Sequence, residues 1–439
     1  MVMRILLCSS YLGADQSEPK VFPLGLAYIA SMLKEHDVRG WDPNVETNPM
    51  AGLGKLLEDF DPDVVCVSLR NIDAVFSYTH RSYYEPFKAM IKFIKEKAPS
   101  SRLIVGGTGF SIFAKEIMER NSEIDFGVVS EGELAITNLL KNFEHPERVK
   151  NLVLRKGGKV VSTPREHLID FNSLEFPSRE CFDLSKYPKT SYSMGIQSSR
   201  GCSFRCIYCI QKFLMGSCYR LRAPSKVVDE IEMLVNQHGI NGFYFVEPVF
   251  NVPVDHARSI LTEIKKRKLD IEWEACFRPD FMNEKLMKQA VDTGCQLFDF
   301  SPDGASNEAL KILNKDLEIH DVEKTISLVR KIENAKVAYE FVYDLPYGNK
   351  NHVIGLTKLY PKIISQCRNK LQYLTSTKMR IYPHTALYNV ALKQRKISEH
   401  TDLLYPVHFE SSSKNPWNLV PFVLKGSQFL SQKCYQYLS

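Results

Sequence analysis

Three cysteines of the 439-residue chain stand close together in Ser199-Arg-Gly-Cys-Ser-Phe-Arg-Cys-Ile-Tyr-Cys209. Cys202, Cys206 and Cys209 form the pattern C-x3-C-x2-C directly after a predicted strand. Thiolates are the preferred ligands of iron–sulfur clusters and of structural zinc. A loop lets three thiolates converge on one face of a cluster, which the alternating side chains of a strand could not do. The segment is therefore a candidate metal site.

Three other interpretations of these cysteines compete with a three-thiolate cluster. A redox pair of Cys206 and Cys209 would leave Cys202 without a role. Zinc, or a cluster with four cysteine ligands, would need one more ligand, and Cys218 is the nearest candidate. The remaining cysteines are dispersed, several of them in apolar runs, so we expect buried structural thiols there.

The elements before this motif predict an α/β domain over residues 1–145. Strand and helix patterns alternate there, which predicts a doubly wound, Rossmann-like parallel sheet with helices on both faces. Ligands of such folds bind at the carboxyl ends of the strands, beside a switch point in strand order. The segment Gly106-Gly-Thr-Gly109 does not complete G-x-G-x-x-G, so a dinucleotide site is weakly indicated. The predicted strands are Arg4–Ser10, Asp63–Leu69, Arg102–Gly107 and Asp125–Ser130.

The rest of the chain divides into three predicted segments. Residues 146–190 are predicted to form a hairpin, with Gly157-Gly158 as its turn, and a linker. Residues 191–385 carry six further strand–helix units and predict an incomplete (β/α)6 barrel. Residues 386–439, which include Trp417, are predicted to be a short C-terminal segment on the substrate side. The six strands are predicted at Tyr192–Ser199, Gly242–Glu247, Ile271–Phe277, Leu297–Ser301, Lys336–Tyr343 and Tyr373–Ile381.

Composition argues against two classes of partner. The net charge of +6, from 57 Lys and Arg against 51 Asp and Glu, is spread without a basic stripe, so nucleic acid is not expected. No apolar run approaches the roughly 20 residues of a membrane span, so no membrane partner is expected either. The apolar stretch at the N-terminus is too short for a signal peptide, which predicts a cytoplasmic protein.

The cysteine motif, the aromatic residue before its last cysteine and the barrel-like series after it resemble the radical S-adenosylmethionine (SAM) superfamily. The resemblance implies a [4Fe–4S] cluster on three thiolates, with one iron left for the amino and carboxylate groups of SAM. An electron from the cluster would then cleave SAM to a 5′-deoxyadenosyl radical. Pro248 replaces the second acid of the usual second-strand motif. The residues that the resemblance implies for SAM are Tyr208, Glu247, Arg278 and Ser301.

Motifs of the first domain resemble the cobalamin-binding domain of B12-dependent radical SAM enzymes. They are Pro23-Leu-Gly-Leu-Ala-Tyr-Ile-Ala30, Asp61-Pro-Asp-Val-Val-Cys-Val-Ser68, Val105-Gly-Gly107 and Ser130-Glu-Gly-Glu133. No histidine has the D-x-H-x-x-G context of a cobalt ligand. The resemblance places Arg70 beneath the corrin, where a permanently protonated guanidinium would be a poor ligand; a surface ion pair is the alternative. The cobalamin contacts that it implies are Leu24, Gly25, Ser68, Leu69, Arg70, Gly106, Gly107 and Glu131.

Together these resemblances predict an enzyme similar to class B radical SAM methyltransferases. It would methylate an unactivated carbon through methylcobalamin and the 5′-deoxyadenosyl radical. The substrate would be a small molecule or a peptide, for example a Gln or Arg residue of methyl-coenzyme M reductase, and ferredoxin or flavodoxin would donate electrons. Two alternatives remain: oxidative rearrangement or cyclisation without methyl transfer, and a non-catalytic cofactor-binding module.

Overall fold

The computed structural model describes residues 2–13, 20–74, 77, 81–165, 169–189, 192–348 and 350–411. Trp417 and most of the predicted C-terminal segment lie outside the described residues. Within the described ranges, no helix is both long enough and apolar enough to cross a membrane.

The first sheet has seven strands in the order β2-β1-β3-β4-β5-β6-β7. Its first five members are parallel, and the last two run antiparallel. The four predicted strands are present, whereas β2 was missed because it is a polar strand at the sheet edge. The strands are β1 (Arg4–Ser9), β2 (Asp37–Trp41), β3 (Val64–Ser68), β4 (Arg102–Gly106), β5 (Phe126–Val128), β6 (Leu152–Lys156) and β7 (Lys159–Ser162).

The predicted hairpin is the pair β6 and β7, whose turn residues Gly157 and Gly158 both have positive φ. The hairpin extends the first sheet through β5. Helices cover both faces of this sheet, because Ile5 and Leu7 belong to one apolar core and Leu6 and Cys8 to the other. The prediction of a doubly wound domain is confirmed. The helices are α1 (Leu24–Ser31), α2 (Pro49–Phe60), α3 (Tyr84–Lys97), α4 (Thr108–Ile112), α5 (Ala114–Arg120) and α6 (Glu133–Lys141).

The second sheet has six parallel strands in the order β15-β14-β13-β12-β11-β8. Because β8 and β15 are both edges, the sheet is an open barrel, as predicted. Its strands, with the separate antiparallel pair β9 and β10, are β8 (Gly195–Ile196), β9 (Ser199–Arg200), β10 (Arg220–Leu221), β11 (Gly242–Phe245), β12 (Glu272–Phe277), β13 (Cys295–Asp303), β14 (Val337–Val342) and β15 (Leu371–Thr377). Its helices are α7 (Gln211–Met215), α8 (Pro224–His238), α9 (Val254–Arg267), α10 (Glu284–Asp292), α11 (Asn307–Ile312), α12 (Ile319–Lys331), α13 (Lys350–Cys367) and α14 (Ala386–Lys393).

The two faces of this second sheet differ in chemistry. One face is apolar and packs against the helices, with Trp273, Phe298 and Phe300 fully buried. Alternate residues on the same strands point the other way, into the inside of the open barrel, which we call the lumen. The lumen residues used below are polar and mostly half-buried: Tyr244, Glu274, Cys276, Asp299, Ser301, Asp303, Glu340 and Tyr373.

The carboxyl ends of the two sheets are joined by the segment that follows β3. Asp73 forms a buried ion pair with Arg380, with 2.7 Å between Oδ2 and Nε, and accepts a hydrogen bond from Tyr382 at 2.9 Å. The Ser77 amide donates to Oγ1 of Thr377, the last residue of β15, at 2.9 Å. The carboxyl edge of the first sheet therefore faces the mouth of the barrel.

Candidate functional site

The cysteine loop lies between β9 and α7 and is held by backbone contacts on several sides. Gly201 has φ +90°, and a Cβ there would lie 2.1 Å from the Cys218 carbonyl oxygen, so only glycine fits. The Ile207 amide donates to the Leu313 carbonyl at 3.1 Å, and the Leu387 amide donates to the Ile207 carbonyl at 2.8 Å. The loop is thus fixed without help from its cysteine side chains.

The three thiols are free and shielded to different degrees. Cys202 is buried and Cys206 and Cys209 are half-buried, whereas Cys218 is exposed. No three His, Cys, Asp or Glu side chains of the described ranges could share one metal ion. A [4Fe–4S] cluster takes each thiolate on a different iron, and three cysteines of one loop can supply these ligands. Burial raises the pKa of Cys206, and that of Cys209 to about 12, so cluster binding must displace protons.

Glu247 follows β11 at the mouth of the barrel and is only 2% exposed. Its carboxylate accepts hydrogen bonds from the Ser198 amide at 3.2 Å and from the Ser198 hydroxyl. Burial raises the pKa of Glu247 to about 7, although these bonds and Arg222 oppose the shift. A buried carboxylate of this kind fits an ammonium group, which would supply the missing positive charge.

Two more predicted SAM residues belong to a polar network beside the cysteine loop. The Tyr208 hydroxyl donates to Asp303, which also forms an ion pair with Lys315 at 2.5 Å. Lys315 donates to the Ser301 carbonyl at 2.7 Å, and the Ser301 hydroxyl donates to Glu340 at 3.0 Å. The structure thus brings Tyr208 and Ser301 together below the loop.

Arg278, the fourth predicted SAM residue, has other partners. Its guanidinium pairs with Asp280 at 2.9 Å, donates to the Lys315 carbonyl at 2.7 Å and lies 3.7 Å from the centre of the Phe204 ring. Phe204 is part of the cysteine loop. Arg278 therefore supports the loop, and this geometry gives no support to a contact with the SAM carboxylate.

The predicted cobalamin residues converge in part at the carboxyl edge of the first sheet. Ser68 lies beside Ser9 and Gly106 in register, so β1, β3 and β4 end together. The order β2-β1-β3 puts the switch point between β1 and β3. Arg70 follows this edge and is exposed, whereas Ser68, Gly106 and Gly107 are half-buried. This accessible edge fits a large flat cofactor.

Three of the predicted cobalamin contacts have surroundings in the chain that do not favour a contact with a ligand. Leu69 is fully buried in the apolar core, so its side chain cannot meet a ligand. Gly107 has φ +96°, and a Cβ there would lie 2.6 Å from the Leu69 carbonyl oxygen. The conformation of Gly107 is therefore required by its close approach to the chain's own loop, and a contact with a nucleotide tail stays a prediction. Both carboxylate oxygens of Glu131 are occupied by Arg220, at 2.5 and 2.9 Å.

Leu24 and Gly25 begin α1 and differ in their surroundings. A Cβ on Gly195 of β8 would lie 3.4 Å from the Leu24 side chain, so Leu24 packs between the two domains. A Cβ added to Gly25 would meet no atom within 4 Å, so Gly25 borders open space. Gly25 is exposed, whereas Leu24 is half-buried.

An ionic network that no sequence pattern indicated holds the cysteine loop to the first domain. Arg200, two residues before Cys202, pairs with Glu133 at 2.7 Å and with Glu131 at 3.4 Å. Arg220, on the strand that returns from the loop, also pairs with Glu131. Both ends of the loop are thereby attached to the start of α6. We call these four residues the interdomain ion network.

The acidic part of the lumen was not among the predicted sites either. Tyr373 donates to Oδ2 of Asp299 at 2.8 Å, and the Tyr244 hydroxyl and the Cys276 sulfur are 3.2 Å apart. The available signal was the alternation of polar and apolar residues in Asp299-Phe-Ser301 and Glu274-Ala-Cys276. This alternation marks strands with one polar face.

Comparison with known proteins identifies both domains. Residues 13–140 match the B12 binding domain family, and residues 196–349 match the radical SAM superfamily. An uncharacterized methyltransferase of Pyrococcus horikoshii is 26% identical over 376 residues, which cover 84% of this chain and 78% of that protein. The anaerobic magnesium-protoporphyrin IX monomethyl ester cyclase of Cereibacter sphaeroides is 27% identical over 332 residues, but only 52% of its length is matched.

A solved structure shares the whole architecture. The radical SAM methyltransferase TsrM from Kitasatospora setae, solved with cobalamin and a [4Fe–4S] cluster bound, superposes with a TM-score of 0.78 and 19% identity. The match covers 95% of this chain and 84% of that one. At this identity the likeness establishes the fold.

Proposed function

Because this chain belongs to the cobalamin-dependent radical SAM enzymes, with both cofactor-binding domains in one polypeptide, we propose that it methylates an unactivated carbon. When bound, the cluster and SAM supply a 5′-deoxyadenosyl radical and cobalamin carries the methyl group. The observation that carries the proposal is the attachment of the first domain's carboxyl edge to the mouth of the barrel through Asp73 and Arg380. Methyl transfer requires both cofactors to reach one substrate atom.

The chain's own residues hold and separate the reacting groups. Cys202, Cys206 and Cys209 bind the cluster, and Glu247 binds the SAM ammonium. Tyr208 and Ser301 border the SAM site from the loop and from β13. The interdomain ion network fixes the distance between the cysteine loop and the cobalamin edge, because it joins β9 and β10 to the start of α6.

Arg70 is the residue that we propose to face the corrin. It is exposed at the carboxyl edge of the first sheet, and a guanidinium does not ligate cobalt. Bound cob(II)alamin should therefore show no nitrogen superhyperfine splitting in its electron paramagnetic resonance spectrum. Arg70→His should introduce such splitting, because a neutral imidazole is a good ligand. An unchanged spectrum in the variant would remove Arg70 from the site.

The substrate is proposed to be a small molecule, with a ferredoxin or flavodoxin as electron donor. A second TsrM structure was solved with its tryptophan substrate and a SAM analogue, which supports this class. None of the relatives reported above points to methyl-coenzyme M reductase, so a Gln or Arg residue of that protein is not retained. The similarity to the magnesium-protoporphyrin ester cyclase favours a second candidate function, radical cyclisation without methyl transfer.

Labelled SAM separates these two functions. The reconstituted holoenzyme is incubated with dithionite, methyl-deuterated SAM and metabolite fractions of its source cells, and products are analysed by mass. Methyl transfer predicts a product that carries the three deuterons, whereas cyclisation predicts product formation without label. The triple variant C202A/C206A/C209A is the control. It should lose the visible iron–sulfur absorbance and all reductive SAM cleavage, and it should still bind cobalamin.

A further inference from the structure

The lumen of the barrel holds two neighbouring carboxylates that have no cation. Asp299 and Glu340 lie on the adjacent strands β13 and β14 and face the same side. Within the described residues, neither forms an ion pair with Lys, Arg or His. Lys315, which lies close enough to affect Glu340, forms its ion pair with Asp303. Two acidic groups therefore share a partly water-excluded space without an ion pair of their own.

A second observation concerns the hydrogen bonds of Asp299. Its Oδ2 accepts from Tyr373, but its Oδ1 is shielded from solvent and accepts no hydrogen bond in the part of the chain that is described. A buried polar atom without a partner costs free energy, and native proteins rarely keep one without a reason. Since β13 carries Asp299 on its lumen face, the missing donor must come from the lumen.

The surroundings favour a positively charged donor. Tyr244 and Tyr373 put two aromatic rings on the same face, and aromatic faces attract cations. Glu274 adds further negative charge to the space around Asp299. The opposite face of the sheet is fully apolar at Phe298 and Phe300, so the polarity is confined to the lumen and is not a general property of these strands.

SAM does not account for this site. The proposed function assigns the SAM ammonium to Glu247, which lies at the end of a different strand, β11. Asp299 precedes Ser301 by two residues, so it lies one pleat, about 6.6 Å, deeper in the barrel than the SAM-side residues. The donor that Asp299 lacks is therefore not the SAM ammonium.

We propose that Asp299 and Glu340 bind a cationic nitrogen group of the substrate, an ammonium or a guanidinium, inside the lumen. The rest of the substrate extends from this anchor to the mouth of the barrel, where the SAM and cobalamin edges meet. This inference rests on the proposed function, because it assigns the second cation to a substrate. It specifies the substrate class as an amine or guanidine that is charged at neutral pH.

The test uses small cations and their neutral isosteres. Methylguanidinium is compared with N-methylurea, and n-propylammonium with n-propanol, by saturation-transfer nuclear magnetic resonance on the SAM-loaded holoenzyme. The cations should bind at least about tenfold more tightly than their isosteres, which corresponds to the lower end of the coupling measured for close charge pairs at interfaces. Equal binding within each pair, or no binding of either cation at millimolar concentration, would overturn the proposal.

Two isosteric variants and one control test the residues. Asp299→Asn and Glu340→Gln should each weaken cation binding at least about tenfold. Asp299→Asn should also leave the affinity for SAM unchanged, because Asp299 lies one pleat deeper than Ser301. Asp292→Asn, which changes a surface ion pair with Lys265, should alter neither. Loss of SAM affinity in Asp299→Asn would instead assign this carboxylate to the SAM site and refute the proposal. Cation binding is measured without turnover. The comparison of the variants can therefore be interpreted even if the enzyme does not transfer a methyl group. If a variant does not fold, the comparison of each cation with its neutral isostere on the unmodified enzyme still tests whether the lumen binds a cation.

Discussion

Two groups of buried carboxylates in this molecule have opposite surroundings. In the interdomain ion network, Glu131 and Glu133 meet Arg200 and Arg220 at 2.5 to 3.4 Å. In the lumen, the acidic groups have tyrosine, serine and thiol neighbours but few cations. The first group is complete within the chain, which is typical of a structural element. The second is incomplete, and an incomplete buried site indicates a ligand.

The difference shows why burial alone does not identify a functional carboxylate. Glu131 was predicted to contact cobalamin because its motif resembles one of that family, but its charge is neutralised by two arginines from the other domain. Asp299 belongs to no motif, yet one of its oxygens is buried without a hydrogen bond. What distinguishes the two is whether the chain itself supplies the opposite charge.

We expect the largest effect on stability when an ion pair of the interdomain ion network is removed. Glu133→Gln leaves the Arg200 guanidinium, whose side chain is 6% exposed, without its closest partner. The loss should lower the free energy of unfolding by about 3 kcal/mol, measured by urea denaturation of the apoprotein. The surface variant Asp292→Asn should change it by less than about 0.5 kcal/mol. Equal effects of the two changes would show that the network is not structural.

The dependence of the unfolding free energy on pH should report on the lumen carboxylates Asp299 and Glu340. Burial, and then the neighbouring acids, raise the pKa of Asp299 to about 6 and that of Glu340 to about 8. The unfolded chain has ordinary values near 4, so the native state binds more protons between pH 4 and pH 8. The stability that these groups contribute is present below pH 4 and is lost as the pH rises to about 8.

Glu340→Gln should therefore flatten the fall in the unfolding free energy of the apoprotein between pH 5 and pH 8. The groups that face this pair are Glu274, Asp303, Lys315, Cys276 and Tyr373, and all of them remain in the variant. The matched change Glu133→Gln should lower stability without altering this slope, because Glu133 is paired with Arg200. An unchanged slope in Glu340→Gln would contradict the description of the lumen as uncompensated.

We expect the smallest change in the unfolding free energy when a lumen carboxylate is replaced by its amide at neutral pH. Asp299→Asn removes a negative charge that no cation neutralises, and its amide can still bond to Tyr373. The free energy of unfolding at pH 7 should therefore stay within about 1 kcal/mol of the original value or rise. A loss near that of Glu133→Gln would mean that the two carboxylate groups do not differ.

Much of the fold and part of the site could be predicted because their signals are local. The cysteine spacing, the six barrel strands and the alternation of the first domain depend on residues close in sequence. Arg278, Leu69 and Gly107 were interpreted through motif position, whereas their contacts are set by Asp280, by the apolar core and by the loop after β3. The pairing of Arg200 with Glu133 spans 67 positions, so no local pattern could indicate it.

The ratio of two SAM products tests the central claim, that both cofactors serve one reaction, most directly. With a deuterated product in hand, S-adenosylhomocysteine and 5′-deoxyadenosine are counted in the same holoenzyme reaction. Methyl transfer to an unactivated carbon uses one SAM as the methyl source and one as the radical source, so the account predicts about one of each per methylated product. 5′-Deoxyadenosine and product without S-adenosylhomocysteine would contradict it, because the methyl group of SAM would then not have been transferred.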